Sequence, residues 1–392
     1  MMDFSLTEEQ QMIRDSARRF LEKECSFELR PQVITSGAFS PAHWRQYADM
    51  GWLGLALPEA HGGLGGHAVD MTLLMEEAGR TLLVEPLWAV AVLAAQTLLA
   101  INDEVATADL LPALIAGEAL PVLAHGEEES RGVLEHVSTN ARRNSQGEWV
   151  LNGVKSLAVG GNIADRYIVS ARTAGGRHDR DGISLFLLPV DCAGLEKTDV
   201  RLIDNRWAAH LSLKDVTLPA SALLGQAGKA YAALEAGHAH GLLALCAEAI
   251  GVMEKALWLT RDYLLIRKQF RTTLSSFQSL QHRMSEMLIE LELSRSMLYR
   301  ALSEFDNGPE ARQHALSAAK AHIGRSGLFI CGQAIQLHGG IGVTEEYVIG
   351  HHFKRMTLIE HAFGSSHHHF EKLADLERKG LRITAAARHN AA

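Results

Sequence analysis

Two long apolar runs at helical spacing lie on either side of a short polar segment, residues 267–278. No other feature of the chain constrains the fold more strongly. The first run extends from Leu242 to Ile266, and the second begins at Leu280. Apolar residues that recur every three or four positions are typical of helices that bury one face. The chain is therefore expected to pack two long helices together and to present the polar segment between them.

This polar segment, Arg267-Lys-Gln-Phe-Arg-Thr-Thr-Leu-Ser-Ser-Phe-Gln278, combines cations, aromatic rings and amides at fixed spacing. Such groups suit the binding of a large anionic cofactor. A second segment, Gln336-Leu-His-Gly-Gly-Ile-Gly342, interrupts another long helix with glycines that let a ligand approach the backbone. Together the two segments predict a binding site for a flavin nucleotide.

The remainder of the chain divides into three parts by pattern. Residues 1–120 read as an all-helical domain, whose first helix begins at a capping box, Thr7-x-x-Gln10, and ends near Cys25. Residues 71–80 and 87–100 are also predicted to be helical. Residues 121–222 form a small β domain, a barrel or sandwich, in which short β-rich runs are separated by Asn-Gly, Gly-Gly and Asp-Gly turns. The predicted strands are residues 148–155, 166–170, 183–188 and 211–216.

Residues 223–392 return to helical periodicity and are predicted to form a four-helix bundle. Asp306-Asn-Gly-Pro309 stops the second long helix, and an Ala-rich third helix follows and reaches Leu337. The expected fold class is α+β multidomain: an N-terminal all-α domain, a middle β domain and a C-terminal helical bundle.

Composition narrows the function. The chain has 392 residues, 47% hydrophobic and 21% charged, and a net charge of −8, which gives no reason to expect nucleic acid as a partner. Its four cysteines, Cys25, Cys192, Cys246 and Cys331, share no metal-type spacing and read as free thiols of a reducing compartment. The sequence shows neither a signal peptide nor a membrane span, so a cytoplasmic location is expected.

The motifs, taken in order, resemble those of the acyl-CoA dehydrogenase family over almost the whole chain. They are the opening Phe4-Ser-Leu-Thr-Glu-Glu-Gln10, then Leu57-Pro-Glu-Ala-His-Gly-Gly-Leu-Gly65, Arg267-x-x-Phe270 with Phe277-Gln278, and finally Gln336-x-x-Gly-Gly-x-Gly342. The resemblance implies an FAD-dependent oxidoreductase acting on an acyl-CoA. In the family a carboxylate removes the α-proton while the β-hydrogen leaves as hydride to the flavin. The usual electron acceptor is an electron-transferring flavoprotein.

The resemblance also assigns cofactor-binding residues. Arg267 matches the arginine that binds the pyrophosphate, and Phe270 matches the residue that packs on the adenosine part. The remaining predicted contacts are Gln269, Gln278, Gln336, Gly339, Gly340 and Ser366. In the family these groups reach a neighbouring subunit's flavin, so oligomerisation is part of the site. Alternatives stay open: Arg267 as a solvated helix-end cation, Gln336 as a C-cap amide, and the glycines as a simple helix cap.

Three positions depart from the family pattern around the cofactor. Arg271 stands where the family commonly has glycine, and this change either adds an anion contact or only alters the loop. The family's Thr-Glu-Pro and Trp-x-Thr elements, which contact the flavin ring, fall on residues 126–128 and 157–159. The ring would then lose an aromatic cover and a hydroxyl group.

The largest departure concerns the catalytic base. Gly364 stands where the family's glutamate usually lies, and Gly241 stands at the alternative base position on the bundle helix; Leu242 replaces an arginine that is often found there. Glu248 and Glu360 are weak candidates for a relocated base, together with His361. The sequence favours a paired core carboxylate for Glu248 and a surface or hydrogen-bonding role for the other two.

Leu245-Cys-Ala-Glu-Ala-Ile-Gly251 and Ile359-Glu-x-x-Phe-Gly-x-x-x-His-His369 resemble one branch in particular. These are the small subunits of pimeloyl-CoA dehydrogenases and related paired-subunit enzymes of bacterial steroid side-chain breakdown. The branch implies a heteromer, such as a heterotetramer, whose other chain supplies the base. Two alternatives remain: a homo-oligomer with a relocated base, and a non-catalytic structural partner. No metal site is expected at His367-His-His369, and His238-x-His240 is taken as a polar loop.

Overall fold

A computed structural model describes residues 5–389, without the side chains of residue 379 and residues 381–389. Phe4, the first residue of the opening motif, lies outside the described residues. Eleven α-helices occur in the described part, and their bounds follow. They are α1 Glu8–Glu24, α2 Arg30–Thr35, α3 Pro41–Asp49, α4 Ala68–Arg80, α5 Ala95–Ile101, α6 Glu104–Ile115, α7 Tyr231–Ile266, α8 Gln278–Ser303, α9 Pro309–His338, α10 Val348–His361 and α11 Ser366–His389.

The strands are more numerous than the four β-rich runs predicted. They are β1 Pro121–Ala124, β2 Asn140–Arg143, β3 Trp149–Val159, β4 Arg166–Arg172, β5 Ile183–Pro189, β6 Leu195–Arg201, β7 Trp207–Leu218, β8 Leu223–Leu224, β9 Lys268–Gln269 and β10 Thr272–Thr273. Eight of them form one mixed sheet in the order β6-β7-β3-β2-β4-β5-β8, with β1 parallel to β4. The pair β9 and β10 is a separate hairpin.

The described chain separates into two compact units. Among the described residues, the N-terminal unit comprises Thr7–Glu77 and Leu83–Ala244, and the C-terminal unit comprises residues 5–6, Ala78–Leu82 and residues 245–389. The predicted domain boundaries at residues 120 and 222 stay predictions.

The capping box of α1 forms as the sequence predicts. Thr7 Oγ1 accepts the backbone N–H of Gln10, and Gln10 Oε1 accepts the backbone N–H of Thr7, each at 3.2 Å. Behind α1 an aromatic core fills the helical part of the N-terminal unit: Tyr47 stacks on Trp52 with ring centroids 5.0 Å apart, and Phe20 meets Trp52 edge-on. Burial of these large rings stabilises the helices by excluding water.

Two helical predictions gain detail. Within residues 87–100, which were predicted to be helical, Trp88–Ala94 is π-helical and α5 follows from Ala95. Helix α7 begins at Tyr231, inside the region predicted to be helical, and contains the whole apolar run from Leu242 to Ile266.

In the C-terminal unit α9 is central and packs against α8, α10 and α11. The predicted stop is confirmed, since α8 ends at Ser303 and α9 begins at Pro309 with proline in its first turn. The order of helical, β and helical parts confirms the predicted fold class. Within residues 5–389, no helix is both long enough and apolar enough to cross a bilayer.

Candidate cofactor and active site

The predicted flavin-binding segment folds as a hairpin between two helices. α7 ends at Ile266, where the backbone N–H of Arg267 still donates to Tyr263 O at 2.9 Å. β9 and β10 then pair through Gln269 and Thr272, and α8 begins at Gln278. The side chains of Arg267, Gln269, Phe270 and Gln278 are all exposed. The hairpin thus presents these predicted contacts to solvent.

The second predicted segment ends α9 as expected. Gly339 follows His338 with φ of +64°, in the region that favours glycine, and a short 3-10 turn continues to Val343. Gln336, Gly339 and Gly340 are exposed. A Cβ built at either glycine would meet no atom within 4 Å, so the backbone here borders open space.

A ring stack connects the two segments. Tyr263, one turn before the hairpin, stacks on His338 with centroids 4.4 Å apart, and its hydroxyl donates to His338 O at 3.3 Å. Burial lowers the pKa of His338, which keeps this ring neutral and suited to the stack. Arg283 on α8 also donates to Gln333 on α9 at 3.1 Å. The ends of α7 and α9 and the start of α8 therefore meet at one end of the bundle.

The loop at the family's usual base position is closed by internal hydrogen bonds. Gly364 is buried with φ of +97°, and the buried Lys320 on α9 donates to both Glu360 O and Gly364 O at 2.8 Å. The carboxylate of Glu360 accepts the backbone N–H of Ser366 at 2.8 Å and the hydroxyl of Ser366 at 2.7 Å. The predicted base candidate Glu360 therefore fixes the start of α11, and Ser366 lies buried against it.

A histidine completes this loop. His369 Nε2 donates to Phe363 O at 3.1 Å, and burial, together with the nearby cation of Lys320, lowers the pKa of His369 to about 3. Phe363 itself has φ of +59°. Three of the loop's carbonyls, those of residues 360, 363 and 364, thus have donors from the chain itself. His361, the third candidate base, is exposed.

Glu248, the other candidate base, is committed to an ion pair. Its carboxylate accepts Nη1 of Arg355, and both side chains are buried, at 2% and 0% exposure. Arg355 Nη2 also donates to Leu82 O at 3.3 Å. The Glu248 carboxylate is therefore buried against a cation of the chain itself.

Sequence reasoning did not single out Lys320 or Arg355. A usable signal existed for Lys320, which is a long cation within a helix whose neighbours are mostly alanine or apolar residues; Arg355 has polar and charged neighbours and gave no such signal. Buried cations are rare unless they are paired or hydrogen-bonded, so each predicts a nearby acceptor. The identity of that acceptor does not follow from the sequence.

In the N-terminal unit, the two elements expected to contact a flavin ring lie beside each other. Ser156 N donates to Gly126 O at 2.8 Å, and Leu157 follows with φ of +52° and a half-exposed side chain. Neither Gly126 nor Leu157 offers the hydroxyl or the aromatic ring that the family places here. Val159, the third residue, is likewise without a hydroxyl.

The side chain of Glu127, the residue after Gly126, accepts hydrogen bonds from several donors. It accepts Lys155 Nζ at 2.7 Å, Thr139 N at 2.9 Å and Ser138 N at 2.7 Å. Burial alone would raise the pKa of Glu127, but the Lys155 ammonium and these hydrogen bonds outweigh it and lower the pKa to about 2. This carboxylate is a structural anion.

The histidine motifs show no metal-binding cluster among the described residues, 5–389. His367 pairs with Glu371 one turn later on the exposed face of α11. His240 lies within α7, not in a loop as predicted, and with Gln96 lines a small cavity that has room for about one water molecule. Gly241, which was predicted to occupy the alternative base position, follows His240 and is buried.

The hairpin and the glycine turn fit the nucleotide half of a dinucleotide. They offer exposed guanidinium groups for phosphate, an aromatic ring, and open backbone at Gly339–Gly340 that a side chain there would obstruct. Of the two elements predicted to contact the flavin ring, both in the N-terminal unit, Gly126 and Leu157 offer neither a hydroxyl group nor an aromatic ring.

Fold and sequence together define the class of protein. The chain belongs to the acyl-CoA dehydrogenase family, since profiles of that family's N-terminal, middle and C-terminal domains match residues 7–118, 123–216 and 231–376. The family consists of FAD-dependent oxidoreductases that act on a CH–CH bond of an acyl-CoA.

Individual relatives span nearly the full chain. The probable acyl-CoA dehydrogenase YngJ of Bacillus subtilis is 31% identical over 371 residues, 93% of this chain and 97% of its own length. A caffeyl-CoA reductase-Etf complex subunit, CarC of Acetobacterium woodii, is 28% identical over 349 residues, 88% of this chain and 91% of CarC. The solved structure of a variant of the Tcur3481-Tcur3483 steroid ACAD is 30% identical with a TM-score of 0.84, covering 96% of this chain and 99% of that one.

Proposed function

We propose that this chain is the base-lacking subunit of a heteromeric acyl-CoA dehydrogenase, in which a homologous partner subunit supplies the catalytic carboxylate. The observation that carries the proposal is that both usual base positions are empty and both candidate carboxylates are committed. Gly364 and Gly241 have no side chain to accept a proton. Glu248 is bound to Arg355, and Glu360 is bound to Ser366.

The alternative of a relocated base is weakened by the same contacts. A general base works best with a pKa near the working pH and a free lone pair directed at the substrate. The Glu248 carboxylate forms an ion pair with the guanidinium of Arg355. The Glu360 carboxylate accepts two hydrogen bonds from Ser366 at the start of α11. Both carboxylates are therefore engaged by donors of the chain itself, and both are buried rather than directed at open space where a substrate could bind.

FAD, when bound, would accept the β-hydrogen of the acyl-CoA as hydride. This chain's own part would be to bind and orient the cofactor. Arg267 would hold the pyrophosphate and Phe270 would cover the adenosine part. The remaining predicted contacts are Gln269, Gln278, Gln336, Gly339 and Gly340. Ser366 is a weaker member of this set, because its hydroxyl is buried and already donates to Glu360.

Exposed apolar side chains support an oligomer. Leu288, Ile289 and Leu293 on α8 are 38%, 58% and 49% exposed, and Leu265 at the end of α7 is 54% exposed. Neighbouring Leu257, Leu264 and Met284 line an open groove between the two helices. Several exposed apolar side chains close together in this way are typical of a protein interface. The name of one similar structure, a steroid ACAD, joins Tcur3481 to Tcur3483.

The family resemblance also suggests the partner subunit and the electron acceptor. The resemblance of residues 359–369 to the small subunits of pimeloyl-CoA dehydrogenases and of paired steroid side-chain enzymes favours a partner of that type. An electron-transferring flavoprotein is the proposed acceptor, in line with the Etf complex to which CarC is assigned. Four free cysteines fit a reducing compartment, and we place the protein in the cytoplasm.

The test is the visible absorbance of the chain purified alone, and of the chain purified with a co-purifying homologue, before and after anaerobic addition of a panel of acyl-CoAs. We expect a flavin band that bleaches only in the complex. Bleaching by the chain alone at an ordinary rate would overturn the proposal, and Glu248→Gln and Glu360→Gln would then identify the base. A complex that bleaches while this chain contributes to no flavin site would instead indicate a structural partner.

A further inference from the structure

The tip of the β9–β10 hairpin has an unusual backbone. Phe270 and Arg271 form a two-residue turn between the paired residues Gln269 and Thr272, and their φ angles are +51° and +68°. Positive φ at both central positions is the signature of a type I′ turn, for which Asn-Gly is preferred. A side chain with a Cβ is disfavoured there. This hairpin instead places two large residues in succession.

Packing within the chain does not account for these two residues. Phe270 is 85% exposed, and its ring meets Phe277 edge-on with centroids 6.1 Å apart. Across residues 5–389, the guanidinium of Arg271 makes no hydrogen bond or ion pair, and the same holds for the charged groups of Arg267 and Lys268. Strained backbone that internal contacts do not explain is a signal of function.

The chemistry presented by the tip is specific. Three exposed cations and one exposed ring occur within five residues, from Arg267 to Arg271. A guanidinium offers a planar fork of donors that matches phosphate oxygens, and an aromatic ring stacks on a nucleobase. Glycine, which the family commonly has at position 271, would relieve the strain and offer neither group.

We propose that Arg271 is an additional phosphate-binding residue, which holds the ADP half of the cofactor together with Arg267. This inference rests on the proposed function, because it assumes that the hairpin binds the ADP half of FAD. Arg271 adds a second guanidinium to the phosphate contacts that the hairpin offers.

The variant Arg271→Gly separates a phosphate-binding role from a structural one. A structural role predicts a lower melting temperature, whereas a phosphate-binding role predicts an equal or higher melting temperature together with weaker ADP binding. Glycine removes the strain, so the melting temperature of the assembled protein should stay equal or rise. If Arg271 binds phosphate, the dissociation constants for ADP and for FAD should rise about tenfold with the loss of one charge-assisted contact. The dependence of ADP affinity on salt should also become shallower. Titration calorimetry with ADP and quenching of FAD fluorescence measure both constants without any turnover.

Two further variants serve as controls. Arg300→Ala on the exposed face of α8 removes one positive charge far along the helix from the hairpin, and it should leave ADP binding unchanged. Arg271→Lys keeps the charge and loses the fork, so its dissociation constant for ADP should lie between those of wild type and Arg271→Gly.

Unchanged ADP affinity in Arg271→Gly overturns the proposal. If that variant keeps its ADP affinity but loses its oligomeric mass, Arg271 pairs with a carboxylate of a partner protein instead. Failure of the wild-type protein to bind either ADP or FAD overturns both the inference and the proposed cofactor site. Turnover by the chain alone overturns the proposed missing base but leaves the comparison of ADP affinities intact.

Discussion

The loop at Gly364 and the hairpin at Phe270–Arg271 share a backbone feature and differ in almost everything else. Each contains a phenylalanine followed by a second residue, both with positive φ. In the loop, Lys320, Glu360 and His369 supply internal partners for the polar groups. In the hairpin the charged groups point to solvent. The loop predicted to occupy the base position is held by contacts within the chain, whereas the hairpin predicted to bind the nucleotide is exposed.

The largest effect is expected for Glu248→Gln on the closed side of this comparison. The substitution leaves the buried Arg355 without its counter-charge and should lower the free energy of unfolding by about 3 kcal/mol or more. Urea denaturation measures the loss. Glu292→Gln on the exposed face of α8 is the matched control and should change it by less than about 0.5 kcal/mol. The double variant Glu248→Leu with Arg355→Met should recover most of the stability, and failure of Glu248→Gln to destabilise would show that the pair is dispensable.

The next effect compares two lysines. Lys320→Met removes the donor to two buried carbonyls and should cost about 2–3 kcal/mol. Lys268→Met on the hairpin removes an exposed charge without an internal partner and should be close to neutral for stability. Thermal unfolding of the two variants side by side measures the difference. Equal melting temperatures would mean that the Gly364 loop is no more tightly held than the hairpin.

The smallest effect is expected at the glycine itself. Gly364→Ala forces a Cβ into positive φ and within 2.5 Å of the His368 ring, which should cost about 1–2 kcal/mol. Gly340→Ala has open space for its Cβ and no positive φ, so its stability should match that of wild type. Chemical denaturation measures the stability of both variants. Equal shifts of their denaturation midpoints would contradict the expected difference between Gly364 and Gly340.

Local features of the fold were predictable because their causes are local. The capping box at Thr7, the helix stop before Pro309 and the glycine turn after His338 all depend on residues within a few positions of each other. Strand β6, with the sequence Leu-Glu-Lys-Thr-Asp-Val-Arg, was missed because it is an edge strand whose polar residues face solvent and show no apolar alternation.

The candidate site was predictable only in part, for a different reason. The hairpin and the glycine turn were found from motif residues that are close in sequence. The state of the base candidates depended on contacts between distant residues: Glu248 and Arg355 are 107 positions apart, and Lys320 and Gly364 are 44 positions apart. A charged residue in an apolar helix predicts that a partner is needed. Which residue is that partner depends on the fold.

The cluster around Glu127 bears on what gives this part of the N-terminal unit its shape. Lys155, Thr139 and Ser138 hold this carboxylate, and its pKa of about 2 keeps it ionised at any pH that a cell maintains. The segments around residues 127, 138 and 155 are therefore joined through one charged group of the chain itself. An acid shift within the physiological range leaves this junction intact.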